Sequence, residues 1–164
     1  MLCLVVSVIV FSDGKIVAEG NPSLVLNNGE VADYVDYSSL ENILQGTVEE
    51  HLSSTLSAVS VGAAKLVTPK LTLDIGDPIN VSIKAADIIV SKYLPSGISA
   101  RNVLKGFVSR TNKSTNFAFL DCDIGGVSLI AALTNHSLVE LGIENGDDIF
   151  LILKATSITP MESL

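Results

Sequence analysis

The chain carries the same passage twice. Ser39-Leu40-Glu41-Asn42-Ile43-Leu44-Gln45-Gly46-Thr47-Val48 is echoed by Ser99-Ala100-Arg101-Asn102-Val103-Leu104-Lys105-Gly106-Phe107-Val108. Later, the run Ile75 to Ile88, with its Lys84-Ala85-Ala86-Asp87, is echoed by the run Ile143 to Ile158, with its Lys154-Ala155-Thr156-Ser157. Repetition at this spacing makes two stacked copies of a small unit the expected architecture, rather than one ordinary domain. Val, Ile and Leu dominate both copies, Trp is absent and aromatics are 5%. A core of β-branched and aliphatic side chains favours strands.

Within the second copy, strands are expected over Val103–Arg110, Asn116–Asp123, Val127–Leu133 and Asp148–Ile158. Gly125-Gly126 supplies a tight turn between the middle two. Thr134 suits the N-cap of a short helical turn through Leu141, with Gly142 as its C-cap. The last strand is apolar on both faces and therefore central. Lys154 then lies inside an apolar strand, where a lysine must snorkel or find an anion. The expected fold is all-β with minor α: a tandem pair of small OB-like barrels.

Ahead of the repeats, Val8-Ile9-Val10-Phe11 and Ile16-Val17-Ala18 read as a hairpin about Ser12-Asp13-Gly14-Lys15. Pro22 opens a short helix, Leu24 to Asn27, and 28–40 reads as a linker. The domain division is 1–37 for hairpin, helix and linker, 38–96 for the first repeat, and 97–164 for the second.

Composition restricts function. The net charge is −8, which opposes nucleic-acid binding because phosphate contacts need a basic footprint. Leu2 to Phe11 is too short to span a bilayer. Cys3 and Cys122 are far apart and have no metal-ligand spacing, so both read as buried thiols. His51 and His136 show no spaced acid or nucleophile partner. Glu144, Asp147 and Asp148 read as a solvated turn. No G-x-x-x-x-G-K-[ST] occurs, so the chain has no such cradle for nucleotide phosphates.

What remains is a set of donors. Ser99, Arg101 and Asn102 form a polar elbow at a strand entrance; Thr134 and Ser137 stand where a helix begins; Lys154 and Ala155 close the last strand. Hydroxyls, a guanidinium, an ammonium and backbone N–H groups, with no acceptor of equal strength, suit a small oxyanion.

These three stretches, Ser99-Ala100-Arg101-Asn102, Thr134-Asn135-His136-Ser137 and Ile152 to Ile158, resemble the small molybdate-binding (Mop) proteins and the TOBE domains of molybdate ABC transporter ATP-binding subunits. The resemblance is strong over about residues 97–159 and weak over roughly 38–90. Val5 to Leu26 is similar to the last piece of an ABC ATPase domain. The resemblance implies molybdate or tungstate as ligand, held by Ser99, Arg101, Thr134, Ser137, Lys154 and Ala155, to which the reading of strand-entrance donors adds the backbone N–H of Asn102, with no bound nucleotide and no catalysis by this chain. It further implies a cytoplasmic homodimer, peripheral to the membrane, working with an ABC ATPase core and a membrane permease to report oxyanion abundance. The chain is then a truncation or an excised piece of the larger subunit. A free-standing Mop-like store, or a dimerisation module with a decayed site, is the alternative.

Aligned by eye, Ser39, Asn42, Thr68, Lys84 and Ala85 match Ser99, Asn102, Thr134, Lys154 and Ala155. Glu41 replaces Arg101 and Leu71 replaces Ser137. The second copy is therefore expected to carry the anion.

Overall fold

The computed structural model describes residues 8–20 and 40–161. Cys3, the short helix at 24–27 and nearly all of the linker lie outside these residues. Strands β1 (Val8–Ser12) and β2 (Lys15–Gly20) form the expected hairpin. Asp13 and Gly14 have φ of 50° and 75°, the paired left-handed conformations that a two-residue hairpin turn requires.

The rest is β3 (Glu41–Glu50), β4 (Leu56–Val61), β5 (Ala64–Pro69), β6 (Pro78–Lys84), a 3-10 turn at Ala85–Asp87, and β7 (Ile89–Ser91). Then follow β8 (Asn102–Lys113), β9 (Phe117–Asp123), β10 (Ser128–Thr134), the helix α1 (Asn135–Leu141), β11 (Asp148–Leu153), a 3-10 turn at Ala155–Ser157, and β12 (Ile158–Met161). These strands build two curled five-stranded antiparallel sheets, so the all-β, OB-like tandem with minor α is the observed architecture. One sheet runs β12-β6-β3-β4-β5 and the other β10-β9-β8-β11-β7.

The two sheets exchange their last strands. β7 follows the first copy in sequence but pairs with β11 of the second, with Val90 opposite Leu151. β12 follows the second copy but pairs with β6 of the first, with Ile158 opposite Ile83. A repeat and a sheet are therefore different units. One core spans both: Val59, Leu66, Val81 and Ile83 share a buried cluster with Val108, Leu120, Leu129 and Leu151, and the crossing residues Ile88 and Ile158 belong to it. Cys122 sits in this core, where burial, with a smaller contribution from Asp121, pushes its thiol up to about 12.

The expected strand Asp148–Ile158 is corrected. The chain leaves β11 at Leu153, turns through Ala155–Ser157, and only then extends into β12 in the other sheet. Lys154 is therefore exposed at a corner, outside any apolar strand. The pattern misled because both halves of the run are apolar while the backbone bends between them.

Register also corrects the alignment of the copies. Val48 faces Val59 and Val108 faces Cys122, each beside a bulge; Val59 faces Leu66 and Cys122 faces Leu129. The hairpins thus correspond at an offset of 63 (122 − 59 and 129 − 66). Asp77 and Asp147 close matching turns, each accepting from the backbone three residues earlier at 2.9 and 3.0 Å, at an offset of 70 (147 − 77). The difference is seven residues, the length of α1. The helix is an insertion present only in the second copy. By this register Thr68 corresponds to Ala131, and Thr134 corresponds to Leu71.

Candidate functional site

Two asparagines fix the geometry on which the site stands. Asn102 is 2% exposed. Its Oδ1 accepts from Val67 N at 2.7 Å, and its Nδ2 donates to Val67 O at 2.9 Å and to Leu153 O at 3.5 Å. Asn42 repeats this from the other copy: Oδ1 accepts from Ile130 N at 2.7 Å, while Nδ2 donates to Ile130 O at 2.9 Å and Ile83 O at 3.2 Å. Each amide pairs, donor for acceptor, with the N–H and C=O of a single residue of the opposite sheet. Buried polar groups must be paired in this way. The Asn102 side chain is thus committed to the fold, and the donor expected of this residue is its backbone N–H.

The staples hold two lysine corners in equivalent places. Lys84 and Lys154 each adopt an extended conformation before a 3-10 turn, and each turn starts with a buried alanine, Ala85 or Ala155. The lysine side chains are exposed, and among the described residues neither enters an ion pair. Ala85 N donates to Leu40 O at 2.8 Å; the corresponding bond is not formed at Ala155 among the described residues.

The copies differ in what faces each lysine. In the first, Glu41 stands opposite Lys84 across the ladder and accepts from Ser82 Oγ at 2.6 Å. In the second, the register pairs Asn102 with Leu153. The ladder ends there, and Arg101 and Lys154 are the residues that flank this last pair, each exposed. Like charges directly across a ladder are destabilising, whereas opposite charges help. The end of the second ladder is thus flanked by two cations, whereas the first corner holds a carboxylate across from its lysine.

The structure brings only part of the expected set together. Ser99 and Lys154 line one groove of about 440 Å³ with Ser157, Asp87 and the apolar walls Ile98 and Ile152. Arg101 is exposed beside it at the start of β8. Thr134 and Ser137 are elsewhere. Thr134 Oγ1 caps α1, accepting from Ser137 N at 3.1 Å and lying 2.9 Å from Ser137 Oγ. The strand that carries them, β10, packs on the Ala85–Asp87 turn, where Ala85 is buried with Phe119 and Ala132. They therefore lie on the Lys84 side. The Lys154 turn packs instead against β5, whose Thr68 is fully buried and donates to Pro69 O at 2.9 Å.

Asp87 and Ser157 escaped the sequence reading, although they occupy matching places in the two turns. Both line the Lys154 groove and a second groove of similar size, about 440 Å³, that holds Glu41 and Lys84. The lysine-alanine repeat pointed to them; only the fold shows that the turns lie side by side. His51 does have a partner that spacing concealed, since its Nδ1 lies 3.0 Å from Ser57 Oγ. Ser57 is fully buried and accepts from Leu71 N at 3.0 Å, so it serves the backbone and is shielded from any substrate. Glu144 and Asp147 do lie in a surface turn, with Asp147 bonded to Lys92 at 3.1 Å, whereas Asp148 is corrected: it already opens β11, exposed and paired with Lys105 at 3.0 Å.

Two curled sheets that interlock through exchanged strands, with paired lysine corners, define a tandem OB-like β-domain. Residues 98–160 match the TOBE domain family.

Among curated relatives, the chain is 28% identical over 153 residues to the molybdenum import ATP-binding protein ModC of Rhizobium etli, covering 92% of this chain and 42% of that protein. It is 26% identical over 147 residues to the molybdate/tungstate import ATP-binding protein WtpC of Pyrococcus horikoshii, covering 88% and 39%. The chain thus spans less than half the length of these relatives, and it matches their C-terminal portion. A crystal structure of the cytoplasmic molybdate-binding protein ModG, with molybdate bound, shares the fold at a TM-score of 0.66 and 24% identity, covering 76% of this chain and 98% of that one.

Proposed function

We propose that this chain binds molybdate or tungstate at the Arg101–Lys154 corner. As part of a molybdate importer's ATP-binding subunit, it would sense oxyanion and modulate transport. The observation that carries the reading is that two exposed cations, Arg101 and Lys154, flank the last pair of the β8–β11 ladder. In a chain of 18 acidic and 10 basic residues, two cations at one ladder end make a local positive patch that attracts an anion. Ser99 and Ser157 offer hydroxyl donors in the adjoining groove, and Ala155 N adds a backbone donor. The names of the ModC and WtpC relatives, both importer ATP-binding subunits, support the ligand class and the ATPase and permease partners.

Thr134 and Ser137 lie on the other side of the same chain, so they join this site only from a second copy. A homodimer is accordingly part of the proposal, and the exposed Ile89 and Ile98 that line the groove support it. Modulation follows if the oxyanion binds one arrangement of paired chains more tightly than another. The proposed location is the cytoplasmic side of the membrane; among the described residues no helix is long and apolar enough to cross it.

Titration calorimetry with molybdate, tungstate, sulfate and phosphate is the test. Saturable binding of the first two, lost in Arg101→Glu, is the expected result. Absence of heat with all four anions overturns the reading. A second reading, a free-standing molybdate store, is favoured by the near-complete coverage of ModG. Binding of molybdate with no effect on a reconstituted importer would select it.

A further inference from the structure

Asp87 is the feature that the oxyanion reading leaves unused. It occupies in the first turn the place that Ser157 occupies in the second, and the two side chains line both lysine grooves. Asp87 is exposed and has no ion-pair or hydrogen-bond partner among the described residues. It thus faces the same space as Lys154 and Ser99 without neutralising either. Ser157 can donate a hydrogen bond, whereas an ionised Asp87 can only accept.

The geometry points to Asp87 as a specificity-determining residue of the oxyanion groove. Its carboxylate holds down affinity for fully deprotonated dianions relative to oxyanions that retain a proton. This rests on the proposed oxyanion site. A molybdate or sulfate ion near neutral pH has no hydrogen to donate, so it meets Asp87 as pure like-charge repulsion. Hydrogen phosphate carries one O–H that can donate to the carboxylate, which offsets that repulsion. The Arg101–Lys154 corner attracts both kinds of anion; Asp87 separates them. It also sets the concentration at which a deprotonated oxyanion fills the groove, keeping the site empty until the anion is abundant.

The test is calorimetric titration of the full chain and its Asp87→Asn and Asp87→Ser variants with sodium molybdate, sodium sulfate and inorganic phosphate at about pH 8. Thermal unfolding checks that the variants fold, as an exposed residue without partners should allow. Removing the charge is expected to tighten molybdate and sulfate about tenfold, the scale of one unit charge near the anion in a partly solvated groove. Phosphate should be unchanged or weaker in both variants. Tightening of molybdate in a variant when the unmodified chain shows none also supports the inference. Equal or weaker molybdate binding in the variants overturns it while leaving the site itself intact. Equal tightening of all three anions overturns the selectivity and reduces Asp87 to a general charge. Absence of binding by all three proteins overturns the oxyanion site and this inference with it.

Discussion

The first and second copies share a frame and differ at its corners. Both carry a buried asparagine that clasps the opposite sheet, a bulge after the same valine, and an aspartate-closed turn before the last long strand. Where they part, charge and backbone change together. The first copy sets Glu41 against Lys84 and passes from β5 to β6 without a helix; the second has Arg101 in place of Glu41, ends its ladder one pair earlier, and inserts α1. Duplication can thus preserve a scaffold whose polar staples leave little freedom, while the exposed corners diverge into one of mixed charge and one that is purely cationic.

The largest expected effect tests the shared frame. Asn42→Ala and Asn102→Ala each strand the N–H and C=O of a residue in the opposite sheet, and each should cost about 2–4 kcal/mol in denaturant unfolding. A loss under about 1 kcal/mol for only one of them would break the equivalence of the copies, since that is within the net value of one ordinary hydrogen bond.

Next comes the corner itself. Arg101→Glu places in the second copy the carboxylate of the first and should abolish the rise in Tm that molybdate induces, whereas Lys84→Ala should retain most of it. If Lys84→Ala proves the more damaging change, the anion belongs to the first corner.

A smaller change sharpens the role of the inserted helix. Thr134→Ala removes the N-cap hydroxyl and should cost about 1 kcal/mol. Thr68→Val, at a position that structure equates with Ala131, leaves no helix uncapped and should cost less; a greater loss at Thr68 would contradict the register.

The smallest effect is acidic. The Glu144 backbone N–H, and then Lys92, hold the Asp147 carboxyl below its usual range. The folded state therefore binds this proton less readily, so the contribution is present above the ordinary carboxylate range and fades as pH falls through the folded value. Asp147→Asn should flatten the acid limb of a Tm-against-pH curve slightly, because the group is at the surface. An unchanged limb would remove the Lys92–Asp147 contact as a difference between the copies.

Much of this was legible in residues. The Asp13-Gly14 hairpin, the tight turn at Gly125-Gly126 and the capped helix from Thr134 to Gly142 follow from local rules, because φ preference and capping act within a few residues. The strand exchange was hidden, since Ile88 to Ser91 and Ile158 to Met161 read as apolar continuations of the strands before them. Only the bends at Ala85–Asp87 and Ala155–Ser157, which no local residue announces, send them across. The same blindness placed Thr134 and Ser137 beside Lys154, when sharing a copy and sharing a side of the molecule are different things. The misalignment of Thr68 had a readable remedy: matching Gly62 to Gly125, both with positive φ, gives the offset of the hairpins and exposes the insertion.

The exchange of last strands also fixes an order of events during synthesis. β6 ends at Lys84, yet the strand that covers its outer edge, β12, begins at Ile158. Translation at roughly 5–20 residues per second puts several seconds between the two. Throughout that interval the nascent first sheet presents an open ladder of backbone donors and acceptors, the kind of edge that recruits strands from other chains. A stalled or prematurely ended product therefore has a vacancy shaped for β12, and a synthetic peptide carrying residues 155–161 is the natural reagent with which to fill it.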